Sequence, residues 1–246
     1  MTASNQVPFI IIIPARYAST RLPGKSLLEI KGKPLIQHVF ETAASTQAKK
    51  VIIATDDVKI ADVAESFGAD ALMTSTDHQS GTDRIAEAVT KLGIVSDEIV
   101  VNLQGDEYGL PATLVDQVAA NLFNNQDMQL ATLCETITSI EDYTNPNIVK
   151  VVFDCNNSAL YFSRSPIPAD RSGAVPDNAY RHIGLYAYRA GYLQEFTQLP
   201  VCDLEKKEGL EQLRVLHNSG KIHVDIALDN AGTGIDTIED LEIARA

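Results

Sequence analysis

Phe9-Ile-Ile-Ile-Ile13-Pro14-Ala-Arg16-Tyr-Ala-Ser-Thr-Arg21-Leu-Pro-Gly24-Lys25 is the stretch on which the fold turns. The unbroken apolar run Phe9–Ile13 predicts a strand covered on both faces, the environment of a central strand in a parallel sheet. In such sheets ligands bind outside the carboxyl ends of the strands. The loop that leaves this strand carries Arg16, Arg21 and Lys25, two hydroxyls and Gly24. Arg forks, a Lys point charge and exposed backbone amides are the donors a polyphosphate requires. Gly24-Lys25-Ser26 invites a Walker A reading, but that loop needs a glycine where Ser19 stands, and Pro23 breaks the pattern.

Outward from this strand, short β-branched runs alternate with amphipathic stretches. Leu35, Ile36, Val39, Phe40 and Ala43 recur at helical spacing behind Pro34. Val51–Ala54 reads as a strand, Ile60–Phe67 as a helix stopped by Gly68, and Ala71–Met73 as a further strand. A helix carrying Ile85, Ala86, Val89 and Leu92 leads to the strand Glu98–Leu103 and the helix Leu114–Leu122. This alternation predicts right-handed crossovers and a mostly parallel sheet. Beyond Leu130 the strand-like runs crowd together, at Val149–Phe153, Leu160–Ser163 and Ile183–Tyr188. Pro166–Asn178 reads as a surface loop. A helix holding Leu210, Leu213 and Leu216, the strand Ile222–Ala227 and the helix Thr237–Arg245 complete the chain. The expectation is a single α/β domain over 1–246, Rossmann-like, with a smaller β-rich insertion at about 130–220.

The 246 residues carry a net charge of −13. So acidic a body argues against nucleic acid and anionic membranes as partners, which need a basic field. Any phosphate site must then be a local basic cluster. Cys134, Cys155 and Cys202 form neither a CxxC pair nor a disulfide framework, and no apolar run approaches the roughly 20 residues of a membrane span. A reduced cytoplasm and no membrane insertion are expected.

Other blocks carry chemistry. Asn102-Leu-Gln-Gly-Asp106-Glu107 follows a strand and offers hard oxygen ligands suited to Mg2+; a polar turn would look the same. Asp236, before the last helix, suits metal ligation or helix capping. In Asp77–Arg84, Ser80 or Thr82 caps a helix, or the backbone at Gly81 receives a base edge while Arg84 addresses phosphate. The blocks around Arg164, His182, Tyr188, Glu211 and Gln212 gather polar groups suited to a polyhydroxylated acid.

Together, IIPARYASTRLPGKSL, ATDD, DHQSGTDR, VNLQGDE, NPNIVKVV, ALYFSRSPIP, YRHIGLYAYRAGY, EQLRVL, KIHV and GTGIDTIEDLE resemble the 3-deoxy-manno-octulosonate (Kdo) cytidylyltransferases, the CMP-Kdo synthetases, in order and over nearly the whole chain. The resemblance implies an α/β nucleotidyltransferase that moves CMP from CTP to Kdo with Mg2+, releasing pyrophosphate, for lipopolysaccharide synthesis. It implies Arg16 and Lys25 on the triphosphate, with Arg21 assisting, and Ser80, Gly81 and Arg84 on the nucleotide. Asp106 and Asp236 would hold Mg2+. Gln104, Arg164, His182, Tyr188, Glu211 and Gln212 would line the sugar pocket, with Arg164 on the carboxylate. The 130–220 region would bind sugar and support a homodimer.

The chain departs from the family pattern at Tyr108-Gly109, at Cys134-Glu135-Thr-Ile137 and at His217-Asn218. These changes touch the sugar rather than CTP. They raise an alternative acceptor, an 8-amino-8-deoxy analogue of Kdo with Glu135 beside its ammonium. Two further readings stand beside these: a sister cytidylyltransferase for another acidic sugar or a polyol phosphate, and a non-catalytic nucleotide-binding regulator. Without the resemblance, the residues specify a nucleoside triphosphate but no base.

Overall fold

The run Phe9–Ile13 forms the centre of β1 (Phe9–Ala15), every residue of which is buried. Its side chains alternate between two cores. Phe9, Ile11, Ile13 and Ala15 enter one, and Ile10 and Ile12 the other, as the two-residue period of a strand dictates. A computed structural model describes residues 7–18, 22–232, 234–235 and 237–246. After β1 come a single 3-10 turn at Lys25–Leu27, the short antiparallel pair β2 (Glu29–Ile30) and β3 (Lys33–Pro34), and α1 (Leu35–Ala44). The turn is too short to be the helix a Walker A loop opens. Next are β4 (Lys50–Thr55), α2 (Val58–Ser66), β5 (Asp70–Met73), α3 (Gly81–Leu92), β6 (Ile99–Asn102) and α4 (Ala112–Asn124). The second half holds β7 (Leu130–Thr136), α5 (Ile140–Thr144), β8 (Lys150–Phe153), β9 (Ala159–Ser163) and β10 (Tyr180–Arg189). It ends with α6 (Ala190–Gln198), α7 (Asp203–Glu208), α8 (Gln212–His217), β11 (Ile222–Ile226) and α9 (Ile238–Arg245).

Among the described residues nine strands form one sheet, with the path β11-β7-β10-β6-β1-β4-β5 and the β8–β9 hairpin joined to β10. Four pairings on that path are parallel, β11–β7, β6–β1, β1–β4 and β4–β5. Strand β10 alone runs against its neighbours β6 and β7. The region 130–220 is therefore continuous with the main sheet: β7 and β10 lie inside it, and only the hairpin projects. Helices α1 and α4 cover one face with Leu35, Ile36, Val39, Leu114 and Val118. Helices α3 and α6 cover the other with Ile85, Val89, Leu193 and Phe196. No helix among the described residues is long and apolar enough to cross a membrane.

Several elements depart from the sequence reading, among them the short β2–β3 pair and α5. Strand β7 was not expected, because Thr132 and Glu135 break its apolar run; Thr132 is nevertheless buried. Helix α6 begins directly at the end of β10, with no turn residues to announce it. The expected helix holding Leu210, Leu213 and Leu216 starts only at Gln212, as α8; α7, which the periodicity does not announce, precedes it and ends at Gly209, whose φ of 64° lies in the left-handed region.

The topology places the site. From β1 the chain moves outward to β4 and β5, then returns to lay β6 on the other side of β1. The loops leaving β1 and β6 thus diverge from adjacent strands at a topological switch point, where a crevice opens. Because β10 is antiparallel to β6, with Tyr186 opposite Asn102, the earlier half of β10 stands beside that same crevice.

Candidate active site

Two adjoining cavities occupy the crevice. The first, about 390 Å³, lies among Arg16 and Lys25 from the loop after β1, Ser80, Gly81 and Arg84 from the start of α3, and Gln104 and Asp106 after β6. The second, about 240 Å³, lies among His182, Gly184, Tyr186 and Tyr188 of β10, with Glu211 and Gln212 at the start of α8. Gly81, Gln104 and Glu211 line both and form the wall between them.

In the first cavity, cations meet an acid. Lys25 Nζ donates to Asp106 Oδ2 at 2.6 Å and to the Ile235 carbonyl at 2.7 Å. The Ile235 amide in turn donates to the Asp106 carbonyl at 2.9 Å. Three loops far apart in sequence are thereby tied at one point. Gly105 makes this approach possible: a Cβ there would stand 3.0 Å from the Pro14 carbonyl oxygen, backbone that cannot swing aside. Arg16 is exposed at the mouth. Ser80 caps α3, its Oγ accepting from the Asp83 amide at 3.1 Å, so the capping expectation is realised. At Gly81 a Cβ would lie 3.3 Å from the Gln104 amide group; the missing side chain lets the helix start press against the wall. Arg84 is only 2% exposed. It is buried here because Asp56 Oδ2 accepts from its Nη2 at 2.7 Å, and buried guanidinium groups need such a partner.

The second cavity is aromatic and hydrogen-bonding. Thr132 Oγ lies 2.9 Å from His182 Nε2 and within 3.0 Å of the Ile183 and Leu185 carbonyls. Those carbonyls only accept, so the single hydroxyl proton goes to one of them and the hydroxyl accepts from Nε2–H. His182 is thereby held as the Nε2–H tautomer, with Nδ1 left as an acceptor. Burial pushes the Tyr188 phenol well above its ordinary range and raises the Glu211 carboxyl. Glu211 accepts from Thr82 Oγ at 2.8 Å, which links α3 to the wall.

Burial also pushes the His182 imidazole from 6.5 down to about 3. Native His182 is therefore neutral where the unfolded chain already binds a proton. Its contribution to stability is complete above about pH 6.5 and is lost as pH falls toward the folded value. Replacing His182 by Phe is expected to make the acid-side fall in stability shallower, measured by urea unfolding at stepped pH. An unchanged slope would remove His182 as its source.

The other expected residues are placed as follows. Arg21 and Asp236 lie outside the described residues. Arg164 lines neither cavity; its Nε donates to the Glu208 carbonyl at 2.6 Å and its Nη1 to the Pro146 carbonyl at 2.9 Å. Its Nη2 lies 3.9 Å from where a Cβ on Gly209, a residue of the second cavity's lining, would stand. Glu135 also lines neither cavity, accepting from Arg181 Nε and from the Ala231 amide, each at 2.6 Å. The residues missed by sequence reading are Asp56, Asn102, Thr132 and Tyr186. Their blocks stood out, but only pairing across the sheet shows that Tyr186 faces the crevice or that Asp56 reaches Arg84.

A cytidylyltransferase family model matches residues 10–222. A 3-deoxy-manno-octulosonate cytidylyltransferase of Francisella tularensis subsp. novicida (strain U112) is 52% identical over 240 residues, covering 96% of each chain. The enzyme of the same name from Cellvibrio japonicus (strain Ueda107) is 53% identical over 247 residues, covering 97% of each. The solved structure of a CMP:2-keto-3-deoxy-manno-octonic acid synthetase complexed with CTP superposes with a TM-score of 0.89 at 42% identity, over 97% of this chain and 96% of that one. A solved 4-diphosphocytidyl-2C-methyl-D-erythritol synthase, 15% identical with a TM-score of 0.64, shares the fold.

Proposed function

The chain belongs to the 3-deoxy-manno-octulosonate cytidylyltransferase family, and from that premise we propose that it transfers CMP from CTP to the anomeric hydroxyl of a Kdo-type 3-deoxy-octulosonic acid, releasing pyrophosphate. The observation that carries this reading is the pair of cavities sharing one wall at Gly81, Gln104 and Glu211. A chamber carrying Arg16, Lys25 and Arg84 beside an aromatic one suits a triphosphate meeting a sugar, with the reacting atoms at the wall. In-line transfer of a nucleotidyl group depends on positioning and on neutralising charge.

In this reading CTP occupies the first cavity, with Arg16, Arg21 and Lys25 on the phosphates and Ser80, Gly81 and Arg84 about the nucleotide. Lys25 exchanges its contact with Asp106 for the departing pyrophosphate. The sugar occupies the second, where His182 Nδ1, Tyr188, Glu211, Gln212 and Gln104 accept or donate to its hydroxyls. Arg164, whose Nη2 lies near Gly209, is proposed to meet its carboxylate.

Asp106 fits a divalent cation: a hard carboxylate at the strand end, next to the phosphate chamber. Among the described residues no three His, Cys, Asp or Glu gather, so other ligands must come from substrate and water, the way Mg2+ is ordinarily held beside phosphates. Asp236, which follows Ile235, is proposed as the second carboxylate. Mg2+ supplies Lewis acidity and charge neutralisation at the α-phosphate when bound. A homodimer in the cytoplasm and a role in lipopolysaccharide synthesis complete the proposal.

Pyrophosphate release measured across four nucleoside triphosphates and several acidic sugars tests it. Release is expected with CTP and a Kdo-type acid together, and with neither alone. Release with UTP or ATP in place of CTP, or with no sugar required, would overturn it. The 8-amino analogue enters the same assay as the second acceptor. Glu135, the carboxylate suggested for its ammonium, is engaged by Arg181 and Ala231 away from both cavities.

A further inference from the structure

Two neighbouring aspartates after β4 have different tasks. Asp57 caps α2, accepting from the Lys59 amide at 2.8 Å. Asp56 turns inward, its side chain 13% exposed and that of its partner Arg84 only 3%. One carboxylate oxygen accepts from Arg84 Nη2 at 2.7 Å, and the other from the Tyr17 amide, in the loop that carries Arg16, at 3.4 Å. Thr74 completes the arrangement, its Oγ accepting from Arg84 Nη1 and donating to the Thr55 carbonyl.

We propose that Asp56 is a positioning residue for the nucleotide: one carboxylate holds the Arg84 guanidinium in the wall of the first cavity and joins it to the loop bearing Arg16. The inference rests on that cavity receiving CTP. Because Asp56 already neutralises Arg84, this arginine adds directed N–H donors and shape to the cavity rather than net positive charge. Without Asp56, a nearly buried guanidinium loses its counter-ion and must leave its place. The Tyr17 amide loses its acceptor at the same time. Nucleotide affinity should then suffer while the sugar cavity, which Asp56 does not line, is spared.

The test is steady-state kinetics with both substrates on the full-length chain, for Asp56→Asn, Asp56→Ala, Arg84→Ala and the double variant Asp56→Ala with Arg84→Ala. The Asp56→Ala change is expected to raise KM for CTP by about tenfold or more, as misplacement of a binding group does. KM for the sugar should stay within about twofold, the ordinary result when no substrate contact is lost. Asp56→Asn, which keeps one acceptor and the volume, should fall between Asp56→Ala and the native chain. It carries the test if the alanine variant fails to fold. The double variant should be no worse for CTP than Arg84→Ala, because both changes remove one coupled unit. Arg84→Ala weakening CTP while both Asp56 variants leave KM unchanged would overturn the proposal, as would additive losses. Arg84→Ala leaving CTP affinity intact would instead remove the nucleotide from this cavity, and the proposal with it.

Discussion

Asp106→Asn is expected to lower turnover at saturating CTP, sugar and Mg2+ by roughly a hundred- to a thousandfold, the size of effect seen when one group stabilising transition-state charge is removed. The substitution keeps the shape of the side chain and the Asp106 carbonyl that accepts from Ile235, but removes the charge. Stability should change little. The carboxylate is 33% exposed, and solvent-screened ion pairs contribute only about 0–1 kcal/mol. Metal-free CTP binding offers a sharper control. The native carboxylate repels phosphate when no cation stands between them, so the variant should bind CTP without Mg2+ at least as well as the native protein. Near-native turnover, or an equal loss of metal-free binding, would show that Asp106 organises the loop and nothing more.

Arg214→Leu should produce the largest loss of stability, about 3–5 kcal/mol for breaking a buried ion pair from one side. Arg214 Nε donates to Glu205 Oε2 at 2.8 Å and Nη2 to Oε1 at 2.5 Å, a two-pronged contact. The guanidinium also lies 4.6 Å from the centre of the Phe196 ring. The leucine variant leaves the Glu205 carboxylate buried with no counter-ion. In a chain of this length the expected fall in Tm is on the order of 10 °C. Changing both residues to leucine should recover a large part of the loss, because no uncompensated charge remains. A single variant that melts within about 2 °C of the native protein would contradict the assignment. The same experiment bears on the sugar cavity: α7 and α8 are fastened by this pair, and α8 begins beside Glu211.

Arg214 also shows where reading a sequence stops. The block Glu211–Arg214 offered an acid, an amide and a cation, all plausible for a polyhydroxylated substrate. The fold sorts them. Glu211 and Gln212 line the second cavity, whereas Arg214 turns to Glu205 inside the protein. Nothing in their order along the chain distinguishes them, because a helix as short as α8 turns neighbouring side chains in different directions. Arg84 and Lys25 divide in the same way. Both are cations in glycine-containing blocks, yet one is fixed by a buried partner and the other meets its acid at the mouth of a crevice.

The residues alone determined the parallel part of the sheet around β1. The unbroken apolar run Phe9–Ile13, followed by alternating two- and 3.6-residue periods, buries its apolar faces through crossovers on a parallel sheet, whereas β7 and the antiparallel β10 lie beyond that reading. The sequence likewise placed the basic loop at the carboxyl end of β1, and its long ordered blocks identified the family. Tertiary structure decided what depends on distance between remote segments: the return of β6 beside β1, the reversed entry of β10, the convergence of Lys25 with Asp106, and the commitment of Asp56, Arg164 and Glu135 to partners far along the chain. Periodicity is a local property, fixed by backbone geometry over a few residues. Which donor meets which acceptor is settled only when whole elements pack, and no local pattern encodes that meeting.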